Sequence, residues 1–259
     1  YNVSIKDQSQ HDMLWANRLS ARMELLPLAE GKISVSSAQI FGLQAKLYQQ
    51  DANSKPNFQF MIDSLASKDT TSTTPLNLRI NSLIIRRSRI KYDRLDQPET
   101  PGKFNPSHLN FSDISTHLVL KTLTEDSLNL NVKRLSFKEQ SGLKLDRLSL
   151  KFEGGRQGSS LKDFQLRMPS TQLTLGNIMA TYRFRGDHFV LPSLSYKGSI
   201  LPSNITLSDL DCFLPSLKNF NSTISVTTDF SGRDADLTVQ SLNIGSTTGD
   251  IQADLTGYA

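Results

Sequence analysis

The sequence predicts an all-β fold: an elongated, mainly antiparallel curved sheet with one or two short helical turns. Three observations carry this. An eight-residue word recurs five times, apolar-polar-apolar-polar-polar-apolar-polar-apolar. Polar breaks between the copies are short, which favours hairpin neighbours. Only 37% of the 259 residues are apolar, so strict alternation leaves most strands wet on one side.

The word appears at Ile33-Val35-Ala38-Ile40, Leu78-Ile80-Leu83-Ile85, Leu130-Val132-Leu135-Phe137, Leu143-Leu145-Leu148-Leu150 and Leu237-Val239-Leu242-Ile244. Helical steps of about 100° per residue would scatter these positions, so no apolar stripe forms on a helix. On a strand, each half is a clean alternation with one buried face. The extra polar residue between the halves flips the phase and would send later side chains to the opposite face. A bulge that re-aims the strand keeps the apolar side inward. Repeated bends of this kind build a curved wall, and a β-sandwich with ordinary strand bends remains the alternative at this level.

The first strand group covers residues 1–66. Leu19, Ala21, Met23 and Leu25 alternate, Glu30-Gly31-Lys32 turns the chain, and Ile33 to Ile40 follows, then Leu43, Ala45 and Leu47. Asp51 to Pro56 is a polar loop, after which Phe58, Phe60 and Ile62 resume a strand-like alternation. Residues 67–75 (SKDTTSTTP) have a linker's composition. Residues 76–259 form the repeated region, with turns at Thr124-Glu125-Asp126, Gln140-Ser141-Gly142 and Gly154 to Gly158. One segment breaks the strand rule: Leu210, Phe213, Leu214 and Leu217 have helical spacing. Ser208 or Asp209 is placed to cap it, and Pro215 limits it to short turns. Tyr1 as a first residue and a strand-like repeat at the other end suggest an internal segment of a longer chain.

Motifs for chemistry are missing. Histidines 11, 108, 117 and 188 lack metal-ligand spacing, and Cys212 is the only cysteine. The glycines of Gly154 to Gly158 do not match a phosphate loop and read as a hairpin turn. No nucleophile elbow is present. The expectation is therefore no enzyme, no cofactor and no metal. A net charge of +4 is mild. The basic run Arg86, Arg87, Arg89, Lys91 and Arg94 reads as a solvated strand face that also guards an edge. Nucleic-acid modules interleave aromatics with such cations, and only Tyr92 lies nearby in sequence, so no nucleic-acid partner is expected. A leucine-rich repeat is excluded because the words follow no fixed period.

Four stretches carry a family resemblance: Leu25-Leu26-Pro27-Leu28 with Gly31-Lys32-Ile33-Ser34-Val35, Ile84 to Asp93, Leu135 to Leu143, and Asp209-Leu210-Asp211 with Leu214-Pro215. In order and spacing the chain resembles the AsmA-like superfamily, and within it the TamB-like proteins of the Bacteroidetes type. The resemblance implies a periplasmic β-groove of the taco kind in a protein anchored in the inner membrane. It also implies phospholipid movement toward the outer membrane, with a barrel partner met by regions outside this segment.

A sheet curled around an apolar inside too wide to fill leaves a dry channel. Acyl chains suit such a channel, because burial needs no directed hydrogen bonds. The groove candidates are Leu130, Val132, Leu135, Phe137, Leu143, Leu145, Leu148 and Leu150, with Lys133, Arg134, Asp146 and Arg147 at the bends. Two other functions stand as alternatives: a scaffold offering strand edges to outer-membrane proteins during assembly, and a glycan-binding or adhesive β-protein. The last requires a cluster of exposed aromatics, which the sequence does not display.

Overall fold

The computed structural model describes residues 2–24, 33–66, 78–124, 126–186, 188–220, 222–246 and 252–258. The stretch 67–75, the Glu30-Gly31-Lys32 turn and the Leu25 to Leu28 motif lie outside them. The described chain is nearly all β. Its strands are β1 (Val3–Lys6), β2 (Asp12–Met23), β3 (Ile33–Gln49), β4 (Leu78–Arg94), β5 (His108–Leu123), β6 (Ser127–Glu139) and β7 (Lys144–Gly155), followed by β8 (Gly158–Arg167), β9 (Gln172–Thr174), β10 (Ile178–Arg185), β11 (His188–Thr206), β12 (Thr223–Arg233), β13 (Asp236–Ser246) and β14 (Gln252–Tyr258). They hydrogen-bond in chain order as one 14-stranded sheet, except that β9 lies off the path and pairs with β8 and β11.

Two compact units divide the chain, one of residues 1–125 with 134–144, the other of 126–133 with 145–259. In the first unit β1–β2, β2–β3 and β4–β5 are antiparallel, whereas β3 and β4 are parallel. Parallel neighbours need a crossover that returns the chain to the starting end. That crossover contains the helix α1 (Gln59–Ala66). The strand expected at Phe58, Phe60 and Ile62 is therefore corrected to a helix. Phe58, Met61, Ile62 and Leu65 have the i, i+3, i+4, i+7 spacing of a helix face, which competes with the alternation over the same residues.

The phase flip of the repeated word coincides with irregular pairing in three copies. Register shifts fall between Ile80 and Leu83, between Val239 and Leu242, and opposite Val35–Ser37 at Arg22/Met23. Between β3 and β4 the bends are shared. Pairing runs from Ile33↔Leu78 to Gln49↔Arg94 at one constant offset, so the first two words lie side by side. A second bend is shared as well. Gly42 on β3 has φ +65, and Arg87 at the same level of β4 has φ +51. Asp113 on β5, next to Ile114 opposite Ser88, has φ +53. Three adjacent strands thus bend along one line. Ser88, almost fully buried there, accepts the Leu43 N–H at 3.1 Å and donates to the Arg86 carbonyl at 3.1 Å. Its hydroxyl replaces ladder bonds that the bend removes.

In the second unit, β7 to β14 pair antiparallel wherever they meet. The turns expected near Leu210 to Leu217 are two 3₁₀ turns, Leu207–Leu210 and Pro215–Leu217, with Pro215 at a tolerated first position. The expected caps are corrected: Thr206 and Leu214 hold the cap positions with no side-chain bond. Asp209 instead accepts the Ser170 N–H at 2.9 Å, tying the turn to the loop before β9.

Gly42 supplies the clearest test of the shared bend. A Cβ there would collide with the Asn17 side-chain amide, on a backbone that L side chains avoid. Gly42→Ala is expected to lower unfolding stability by about 1–3 kcal/mol in urea melts. Gly102→Ala, with positive φ but open space around it, should cost less.

Candidate functional site

The apolar positions of the words form the first candidate. In the first unit, directly opposed residues build rows across the strands: Val35 beside Ile80, Ala38 beside Leu83 beside Leu118, and Ile40 beside Ile85. Residues directly opposite share one face of a sheet, so these rows make an apolar wall. Beyond the second bend the wall continues through Leu14, Ala45, Ile90 and Phe111. In the second unit, Thr228, Leu242 and Leu255 form one row, and Val226, Ile244 and Ala253 another.

Burial distinguishes this wall from a packed core. Among word positions with described side chains, only Leu145 is buried and only Leu237 exposed; the rest are half-buried. A filled core would bury most of them. The apolar face is covered by its own neighbours and remains partly open.

The eight sequence-predicted residues fall in both units. Leu135, Phe137 and Leu143 belong to the first; Leu130, Val132, Leu145, Leu148 and Leu150 to the second. Phe137 packs edge-on against Phe111 with ring centroids 5.0 Å apart, which sets it on the wall of the first unit. Leu148 lies opposite Leu166 of β8. Leu145 is 7% exposed and is a packing residue. Lys133, Arg134 and Arg147 are exposed and Asp146 is half-buried, and the register shift of β7 against β8 falls between Ser149 and Lys151, past the bend assigned to Asp146 and Arg147. The wall on β3 and β4 lies outside the eight predicted residues, because the constant offset that sets Ile33 beside Leu78 and continues past the words to Leu47 beside Tyr92 exists only in the pairing.

The Leu135 to Leu143 stretch gains a physical reason. Glu139 is buried and accepts from Asn110 N–H at 3.1 Å and Ser141 N–H at 2.7 Å, and the Ser141 hydroxyl donates to it. Gly142 has φ +104, which only glycine adopts readily. These residues close the β6–β7 turn.

A titratable cluster, unforeseen from histidine spacing, sits where β4 ends and β5 begins. Ligand-type atoms of Asp93, Glu99 and His108 lie within 4.8 Å of one another. His108 is buried, its Nδ1 3.0 Å from Asp93 Oδ1 and its Nε2 2.8 Å from the Gln97 carbonyl. A carbonyl only accepts, so Nε2 carries a proton; opposite a carboxylate, Nδ1 carries one too. Both ring nitrogens are thus used in holding the loop, and the arrangement is an imidazolium clamp. The bond to Asp93 and that to Gln97 raise the His108 pKa above its ordinary 6.5, against desolvation. Partial burial works against Asp93 ionising, but the bonds from His108 and Lys91 outweigh it and hold its pKa below 3.8.

Aromatic rings also gather where the sequence showed no cluster. Tyr182, Phe184 and Phe189 on the β10–β11 hairpin pack mutually at 5.6–5.8 Å, and Phe184 and Phe189 are exposed. The expectation of no exposed aromatic cluster is therefore corrected. Cross-strand pairing of Phe184 with Phe189 creates it. Their faces are engaged edge-on with one another and by Arg156, 5.4 Å from the Phe184 centroid.

Compared with known proteins, the chain matches no family model, no curated protein and no solved structure.

The clamp sets a pH dependence. A raised folded pKa means that His108 stabilises fully below 6.5 and loses this contribution as pH rises through the folded value. The depressed Asp93 stabilises above 3.8 and loses its share as pH falls through its folded value. Urea midpoints of the parent should therefore decline from mildly acidic into alkaline pH. His108→Gln should flatten that limb.

Proposed function

We propose that this chain is a non-enzymatic segment of a cell-envelope lipid carrier, whose apolar wall holds phospholipid acyl chains. The observation that supports it is the half-buried wall, repeated from strand to strand and interrupted in its described rows by single threonines, Thr116 opposite Ile85 and Thr228 opposite Leu242. Each CH₂ transferred from water to such a wall gains about 0.8 kcal/mol, and headgroups can stay in water at its margin. Contacts of this kind are weak, additive and non-specific, which suits a chain that must pass along the wall. The resemblance to AsmA-like, TamB-like proteins adds a context: a periplasmic segment of an inner-membrane-anchored bridge that moves phospholipid toward the outer membrane.

The test pairs folding with lipid contact. A phospholipid with a photoreactive acyl chain should crosslink to the parent chain. Leu83→Asp, on the half-open wall, should still fold, because the carboxylate can stay hydrated, and its crosslinks should drop several-fold. Leu145→Asp, which buries the charge, should instead lose several kcal/mol of stability in thermal melts. Absence of crosslinks in the parent would refute the lipid reading.

A further inference from the structure

The basic run of β4 does not guard an edge. β4 is hydrogen-bonded to β3 on one side and β5 on the other, so it has no free edge to protect. Pairing instead assembles its cations with residues far away in sequence. Arg18, Phe41 and Arg86 form one row across β2, β3 and β4. Trp15, Gln44 and Arg89 form a second, and Lys46 beside Lys91 a third. The bend at Gly42 and Arg87 inserts one residue between the first two rows, which keeps both on the same face. This face is opposite the apolar wall, because the rows alternate with Ile40–Ile85 and Ala45–Ile90.

On this face Arg18, Lys46, Arg86, Arg87 and Arg89 are exposed, and none of them has an ion pair with a described carboxylate. Lys91 pairs with Asp93 at 2.9 Å, and nearby Asp113, held by Lys138 at 2.8 Å, also attracts Arg89 at longer range without an ion-pair contact. The surplus is therefore strongly positive. Two aromatics lie among these cations with over a third of their surface open, Trp15 at 36% and Phe41 at 37%. The Arg87 guanidinium stands 5.4 Å from the Phe41 centroid, so one side of that ring is already occupied by a cation. A strand face made only for solvation needs no large exposed aromatics.

We infer that the outer face of β2–β3–β4 is a docking surface for an anionic phospholipid bilayer. Unpaired cations meet the headgroup phosphates, and Trp15 and Phe41 sit at the interfacial level where aromatic rings partition. Selecting a bilayer over another polyanion rests on the acyl-chain reading of the opposite face, since one partner then supplies ligands to both faces. The sheet would meet headgroups with one side while its other side takes up chains.

Trp15 is the only tryptophan in the chain, so its emission reports on this face alone. The full chain would be mixed with vesicles of equimolar phosphatidylglycerol and phosphatidylcholine, or of phosphatidylcholine alone. The expected result is co-sedimentation and a blue shift of Trp15 emission with the anionic vesicles only, both reversed by high salt. Each cation near such a surface strengthens binding about fivefold, so the double reversal R86E/R89E should weaken it more than tenfold. Arg147→Glu, in the other unit, should leave it within about twofold. An unmoved Trp15 signal, undiminished binding by R86E/R89E, or preference for poly-uridine RNA over the vesicles would overturn the proposal. Acyl-chain crosslinking reads the opposite face, so loss of one signal with retention of the other separates the two readings.

Discussion

Everything in this sheet depends on one constraint of strand geometry: side chains alternate with a period of two, and an inserted residue must be absorbed by neighbours at the same level. β3 and β4 meet it by bending together twice at constant offset. β5 joins at the second bend through Asp113, and the register with β4 is recovered on either side. If one strand bent alone, its apolar residues beyond the bend would face water while those of its partner faced inward. The Ser88 hydroxyl and the left-handed Gly42 are local devices that make a shared bend affordable to the backbone.

Two faces of opposite chemistry follow from the same arrangement. On one, Ala38, Leu83 and Leu118 recur as a half-buried wall; on the other, Arg18, Phe41 and Arg86 lie side by side. A bend that keeps the wall inward keeps the cations outward. The reading of the wall as an acyl-chain surface and of the cations as a headgroup surface therefore depends on one geometric cause, although each has its own measurement.

Polar groups that leave water in this fold do so with their partners. His108 is clamped between Asp93 and the Gln97 carbonyl, and Glu139 gathers three donors in the β6–β7 turn. Both lie at strand ends, where ladder bonds stop and backbone groups need substitutes. Their chemistry is that of turn closure, and it explains why titratable residues come together at places unrelated to the apolar wall.

The strands, the low helix content and the bends at the centres of three of the words were legible in sequence because side-chain alternation is a local property that each eight-residue word states by itself. The Gln140-Ser141-Gly142 turn was legible because a short polar break with a glycine is also a local signal, whereas the buried Glu139 that closes it was not. Partner choice was not. Nothing in residues 33–49 says that their neighbour is 78–94 in parallel, and the helix Gln59–Ala66 was hidden because Phe58, Phe60 and Ile62 satisfy a strand pattern as well as Met61 and Leu65 satisfy a helical one. The aromatics among the cations, the Phe184–Phe189 pair and the His108 clamp all join residues from different strands or from a strand and a distant loop. The sequence by itself determined what each strand shows on its two faces. Only the tertiary structure decided which faces meet, because hydrogen-bond register, which aligns one strand with another, is set between segments and written in neither.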